Sequence, residues 1–296
     1  MPDDALDLTH SAGVGPVAAG CLEHRRAQQK IAVFLVLVTA FSASLNLLRL
    51  YVPFGTNLII LTWTPRLVDA LAMWSVGLSG LIALALIDRS LRDVGWKLGA
   101  PKYFIPALVI PLVYCSIIYV PVWISGLGRF AGTSLLWTGV QSALFHFPLS
   151  LFVAAGEEIG WRGVLVPNLA RTADFKRVAL LPGAIWAIWH YPDILFFDYN
   201  VGTPPIFAIT CFSTSLLGLG TFLSWLRLTS NSVWPAVFFH AAHNSIIGGI
   251  FDRATERDAV AVYITTEFGA GLAVASVVIG YLFLAKLRAQ NERRNR

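Results

Sequence analysis

Apolar residues along this chain gather into long runs. Stretches near 31–50, 68–87, 104–124, 135–157, 178–197, 205–226, 233–251 and 267–287 are almost wholly hydrophobic, and short polar segments divide them. Each run is close to the ~20 residues that an α-helix needs to cross the hydrocarbon of a bilayer. Unbroken runs of this length also lack the strict alternation of a half-buried strand. The pattern predicts an all-α, polytopic transmembrane helical bundle of about eight spans. Pro148 falls inside the fourth run, and Pro182 and Pro192 inside the fifth, which blurs the edges of both. No internal repeat and no low-complexity linker divides the chain.

Composition agrees with the pattern. Hydrophobic residues make up 56% of the 296 positions and charged residues 13%, against about 25% charged in an ordinary soluble domain. The expected organisation is a cytoplasmic N-terminal tail at 1–30, one membrane domain at 31–287 with its chemical core at about 135–250, and a basic cytoplasmic tail at 288–296. The first thirty residues are polar and lack the apolar centre of a signal peptide, so the first run is expected to act as an uncleaved anchor. Cys21, Cys115 and Cys211 lie far apart and suggest neither a disulfide framework nor a thiolate metal site.

Lysine and arginine set the expected orientation. Arg25, Arg26 and Lys30 precede the first span; Arg89, Arg92, Lys97 and Lys102 follow the second; Arg162, Arg171, Lys176 and Arg177 follow the fourth; Lys286, Arg288, Arg293, Arg294 and Arg296 close the chain. The alternate loops hold isolated basics such as Arg66 and Arg129. Both termini are therefore expected in the cytoplasm, which requires an even number of spans. The net charge of +5 reads as this topology together with contact to anionic lipid head groups. No basic, aromatic-interleaved patch suggests nucleic acid.

Against this apolar background a few polar residues stand out. The segment VAAGEEIGWRG, 153–163, brings Glu157, Glu158 and Arg162 to the end of the fourth run. A charge at the centre of a bilayer costs at least ~2.5–3.5 kcal/mol, so such groups are seldom idle. Glu158 and Arg162 are an i,i+4 pair suited to a salt bridge, whereas Glu157 points about a quarter-turn away and is expected to face the bundle interior. Two carboxylates in unlike surroundings are the pattern of one group doing acid–base work and another supporting it. His240 and Asn244 share one face of the seventh span. With His190 of the fifth, they complete a set of one carboxylate, two imidazoles and one carboxamide. That set contains a base to deprotonate water and donors to stabilise a tetrahedral oxyanion, the parts needed to hydrolyse an amide. It is expected to form a wet pocket beneath the inner leaflet, reached from the cytoplasm or laterally from lipid. Ser150 and Ser245 lie nearby, but neither sits in a nucleophile-elbow pattern.

Other polar residues carry plainer expectations. His146, with Pro148 between it and Glu157, reads as a satisfied intramembrane polar group, and His243 points partly away from the His240–Asn244 face. Asp69 is placed at the edge of the second span, near Arg66. Cys115 and Cys211 read as small packing residues.

Three motifs together resemble the CPBP family, the CAAX-prenyl-protease and bacteriocin-processing membrane proteases related to the Ras-converting enzyme. EEIGWR resembles that family's EExxxR, WAIWH its FxxxH with Trp186 in place of phenylalanine, and HAAHN its HxxxN. The resemblance covers about 135–250. It implies an intramembrane endopeptidase acting on a membrane-associated or prenylated protein or peptide. In that reading Glu157 and His190 activate water, His240 and Asn244 stabilise the oxyanion, and Glu158 and Arg162 support them. The Trp186 replacement is expected to touch packing more than chemistry. Members are described both as metalloproteases and as metal-free glutamate-dependent enzymes. A divalent metal such as zinc, if present, would fall to Glu157, His190 and His240, although HExxH is absent. The family also implies a multi-pass protein of a prokaryotic cytoplasmic membrane. Two other readings stand beside hydrolysis: a non-enzymatic immunity-type membrane protein that keeps the motifs as a structural network, and a proton-coupled transporter using a Glu/His relay.

Overall fold

A computed structural model describes residues 16–51, 64–200, 202–256 and 258–294. Ten helices carry nearly all of this: α1 (Pro16–Tyr51), α2 (Thr64–Ile87), α3 (Phe104–Ser125), α4 (Thr133–Gly160), α5 (Val166–Thr172), α6 (Phe175–Phe196), α7 (Pro205–Ser230), α8 (Trp234–Ile246), α9 (Ala261–Ile264) and α10 (Ala270–Arg294). The chain is an all-α, multi-pass membrane bundle. All eight expected runs are helical, and α1 begins at Pro16, well before its apolar run. Among the described residues six helical stretches are long and apolar enough to cross a membrane by length and composition: Gly20–Tyr51, Ala70–Ile87, Pro101–Ser125, Thr133–Thr172, Pro205–Ser230 and Ala270–Gln290. The two other long helices, α6 and α8, are diluted by the residues of chemical interest: His190 and two prolines in α6, and His240, His243 and Asn244 in α8.

Large apolar side chains point outward along the bundle, among them Phe145, Leu86 and Val274. In water such a surface would aggregate; in hydrocarbon it is the solvated face. The inside is aromatic and aliphatic, built around Phe34, Tyr119, Trp161, Phe222, Phe239 and Leu272. Within it α4 packs on α2 and α8, and α7 packs on α6 and α10. The α2–α4 contact depends on absent side chains. A Cβ on Gly160 would lie 2.5 Å from the Val76 carbonyl oxygen, and one on Gly156 would lie 3.0 Å from the Trp74 ring. Small residues four apart let two membrane helices approach to backbone contact, which fixes the turn of α4 that carries Glu157 and Glu158.

Two short π-helical segments follow the motif-bearing helices, Trp161–Leu165 after α4 and Ile247–Phe251 after α8. Such wide turns are rare and cluster at functional sites. A two-residue antiparallel pairing, Arg129 with Glu256 and Phe130 with Thr255, ties the loop after α3 to the segment after α8.

Ion pairs mark the two ends of the bundle. At one end Lys30 Nζ lies 2.6 Å from Asp88 Oδ2, Arg171 Nη1 lies 2.8 Å from Asp93 Oδ2, and Arg227 Nη2 donates to the Asp93 carbonyl at 2.9 Å. At the other end Arg49 Nη1 lies 2.5 Å from Asp193 Oδ1. Lys30 and Arg49 sit on the same helix, about 28 Å apart at 1.5 Å per residue, close to the ~30 Å thickness of a bilayer core. Asp174 caps α6, accepting from the backbone N–H of Lys176 at 2.9 Å and of Arg177 at 3.0 Å. The side chains of Arg66 and Asp69 lie outside the described residues.

Candidate active site

A cavity of about 840 Å³ is bounded by α1, α2, α4, α6, α7, α8 and the start of α10. Glu157, His190, His240 and Asn244 all line it. Three helices thus bring the expected polar groups to one place.

Glu157 is the hub of the site. Its Oε2 accepts a hydrogen bond from Trp186 Nε1 at 2.6 Å and lies 3.8 Å from His190 Nε2, while its Oε1 lies 3.9 Å from His240 Nε2. The glutamate and both imidazoles are buried in the protein and meet only the cavity. His190 is held by aromatic neighbours: Trp189 and Phe212 meet it edge-on and Tyr199 stacks on it at 5.6 Å. Its Nδ1 has no hydrogen-bond partner among the described residues.

Glu158 lies on the far side of the same turn, fully buried, in a different setting. Its Oε1 accepts from Arg162 Nη1 at 3.1 Å and stands 3.0 Å from His240 Nδ1. A carboxylate paired with a guanidinium is an acceptor, so His240 Nδ1 donates and Nε2 is turned toward Glu157. The Arg162 guanidinium also lies 4.3 Å above the Trp186 ring, a cation–π contact. One arginine therefore supports two paths to the cavity, through Glu158 to His240 and through Trp186 to Glu157. The expectation that Trp186 would bear on packing more than chemistry is corrected here: its indole N–H reaches Glu157, which a phenylalanine could not do.

The remaining polar residues divide clearly. Asn244, one turn after His240, is open to the cavity and makes no hydrogen bond to the other three among the described residues. His243, expected to point partly away, also lines the cavity, with its Nδ1 against the Tyr114 hydroxyl and its ring stacked on Phe239. His146 is exposed and bonds within its own helix, to the Ser142 carbonyl at 2.8 Å. Ser245 donates to Ser150 at 3.3 Å, and neither borders the cavity. Cys115 and Cys211 are buried, as packing residues would be.

Sequence reasoning passed over Glu267. This carboxylate, just ahead of α10, borders the cavity, hydrogen-bonds Tyr199, and lies within electrostatic reach of His240 and Glu157. The signal was available as an acidic residue at the head of an apolar run, but its neighbourhood with His190 depends on Tyr199, which lies in a loop.

Glu157, His190 and His240 are donor types that zinc takes, but the structure does not bring them to first-shell spacing. Among the described residues no group of three or more His, Cys, Asp or Glu side chains is arranged to hold one. The two Nε2 atoms approach different oxygens of Glu157, at 3.8 and 3.9 Å. First-shell ligands about 2.0–2.2 Å from a tetrahedral zinc would sit closer together than that. No step below is routed through a metal.

The comparisons with known proteins bear on this same segment. Residues 139–246 match the family model described as Type II CAAX prenyl endopeptidase Rce1-like. Over 116 residues the chain is 29% identical to CAAX prenyl protease 2 of Methanococcus maripaludis, covering 38% of this chain and 42% of that protein. The chain thus spans less than half the length of the curated relative it matches. Both similarities fall on the segment that carries the three motifs.

Proposed function

We propose that this chain, whose core is similar to CAAX prenyl endopeptidases, is an intramembrane endopeptidase that cleaves a membrane-associated or lipidated peptide with water activated by Glu157 and His190. The convergence of both Nε2 atoms on the Glu157 carboxylate carries this reading. A water between them would lie within hydrogen-bond reach of all three. Glu157 takes one proton of that water as the oxygen attacks the scissile carbonyl. The carbonyl becomes an oxyanion, to which a protonated His240 Nε2 and the Asn244 carboxamide donate. His190 passes that proton from Glu157 to the leaving amine as the C–N bond breaks and the oxyanion collapses to the carboxyl group. Glu158 and Arg162 do not touch the substrate in this scheme. They fix the tautomer and aim of His240, the role that second-layer carboxylates play for active imidazoles.

The cavity wall suits an apolar ligand: Leu149, Val153, Phe212, Leu216, Leu219 and Leu272 surround the polar cluster. That composition is compatible with an acyl or prenyl chain beside the peptide. The chain's placement in the cytoplasmic membrane with cytoplasmic termini, and its domain limits, belong to the same proposal. The test is purified protein in nanodiscs, offered a farnesylated and an unmodified peptide of the same sequence. Cleavage lost in Glu157→Gln supports the reading, and faster cleavage of the farnesylated peptide assigns the substrate class. Equal cleavage by wild type and Glu157→Gln rejects it.

A further inference from the structure

One imidazole in the cavity wall has no task in the scheme above. His243 borders the cavity beside His240 and Asn244, although the residue as a whole is only 8% exposed. Two helices hold it. On α8 its ring stacks on Phe239 at 6.3 Å between centroids, and Phe239 meets Phe222 of α7 edge-on. From α3, which packs along α8, the buried Tyr114 hydroxyl hydrogen-bonds His243 Nδ1.

That hydrogen bond has a direction. His240, one turn earlier, stands beside both Glu157 and Glu158, but no carboxylate pairs with His243 among the described residues. A ring with no carboxylate beside it carries a single N–H. The Tyr114 hydroxyl has no second partner among the described residues. A proton on Nδ1 would point at the phenol oxygen and leave the phenol proton buried without an acceptor, which is costly. With the proton on Nε2, the phenol donates to Nδ1 and both groups are satisfied. Tyr114 thus fixes His243 as an Nε2–H donor. Nε2 has no partner among the described residues and is left to face the cavity that the ring borders.

Helix geometry sets the reach of this donor. His243 lies about 4.5 Å further along α8 than His240, on the same side of the helix. An extended peptide advances about 3.3 Å per residue. A donor so placed meets a carbonyl one or two residues from the one that His240 and Asn244 receive. The wall here is largely aliphatic and aromatic, and a peptide carbonyl that leaves water for such a wall must find a donor.

We infer that His243 is a substrate-binding residue, whose Nε2–H donates to a backbone carbonyl of the peptide one or two residues from the scissile bond. Tyr114 is the positioning residue for that contact. The inference rests on the endopeptidase reading and adds to it a subsite that holds peptide backbone, whatever the side chain.

The test uses the farnesylated peptide of the nanodisc assay, made with a single thioamide at each backbone carbonyl in turn except the one attacked. Sulfur is a weak acceptor, so each thioamide weakens one hydrogen bond. With the wild type, one position within two residues of the cut is expected to lower kcat/KM about 2–10-fold, the worth of one neutral hydrogen bond. His243→Phe fills the site without a donor. It is expected to cleave the all-amide peptide more slowly by a similar factor, chiefly through KM, and to show no further loss at that position. Tyr114→Phe, which leaves α8 untouched, is expected to lose part of the same sensitivity. His243→Gln, which keeps an N–H near the place of Nε2, is expected to retain it. An equal thioamide penalty in the wild type and in both phenylalanine variants overturns the inference while the endopeptidase reading stands. Wild-type insensitivity at every position does the same. A peptide that the wild type and Glu157→Gln leave equally uncut defeats the endopeptidase reading and this inference with it.

Discussion

His240 Nδ1 lies 3.0 Å from Glu158 Oε1, the same oxygen that Arg162 Nη1 approaches at 3.1 Å. This shared acceptor makes the second glutamate of the pair a positioning residue and leaves the first for the substrate. Glu158→Gln keeps the shape and removes the charge. Loss of a partner that orients an active imidazole typically costs about 10–100-fold in activity. A matching fall in kcat with little change in KM is expected from steady-state kinetics on a cleavable peptide. An unchanged kcat would remove Glu158 from the scheme.

Trp186 gives a sharper test because the resemblance itself supplies the substitution. Trp186→Phe restores the aromatic of the FxxxH motif and deletes the 2.6 Å hydrogen bond to Glu157. A hydrogen bond to a charged group is worth about 1.5–3 kcal/mol, so roughly a tenfold or greater loss of rate is expected. Thermal unfolding in detergent should move little, since the ring still fills the site. A rate equal to wild type would mean that the indole N–H does not aim the carboxylate.

How far these contacts could be read from the sequence depends on the kind of signal each one leaves. Glu157, His190 and His240 were legible because each interrupts a hydrocarbon-length apolar run, and the Glu158–Arg162 pair because i,i+4 spacing fixes a shared face. The helices were legible for the same reason, as runs of the right length. Glu267 was not, because its tie to His190 passes through Tyr199 in a loop, and no periodicity links them. The Trp186 hydrogen bond was hidden inside an aromatic-for-aromatic exchange. The π-helical turn after Gly160 is a shift of backbone hydrogen bonding that hydropathy does not register.

The close approach of α2 and α4 predicts a stability effect with no chemical group involved. Gly160→Ala would drive a Cβ to 2.5 Å from the Val76 carbonyl, and the atom met is backbone, which cannot swing aside. Overpacking of this kind costs about 1–3 kcal/mol. A lowered Tm in detergent is expected, with activity falling because the α4 turn bearing Glu157 is displaced. A Tm at or above wild type would show that the helices separate without penalty.

Asp93 supplies a pH-dependent prediction outside the membrane. Burial opposes its ionisation, but the Arg171 hydrogen bond and the charges of Arg171, Lys30 and Arg227 together hold its carboxyl below the ordinary value of 3.8. A depressed carboxylate stabilises the folded state fully above its unfolded value, and that contribution is lost as pH falls through the folded one. Wild-type Tm should therefore drop more steeply below about pH 4 than that of Asp93→Asn, which has already lost the contribution. Parallel curves for the two proteins would exclude the cluster as the cause.

Metal removal separates the two forms of hydrolysis that the motifs allow. In the metal-free scheme proposed above, in which Glu157 itself deprotonates the water, cleavage is expected to survive prolonged dialysis against a chelator. Activity abolished by the chelator and restored by zinc would reverse that conclusion.

The most direct measurement is the comparison of peptide termini in membranes containing wild-type protein with termini in membranes containing Glu157→Gln at equal abundance and equal Tm. A defined set of termini is expected with the wild type and is expected to be gone with the variant. A folded Glu157→Gln protein that leaves every one of those termini in place would contradict it.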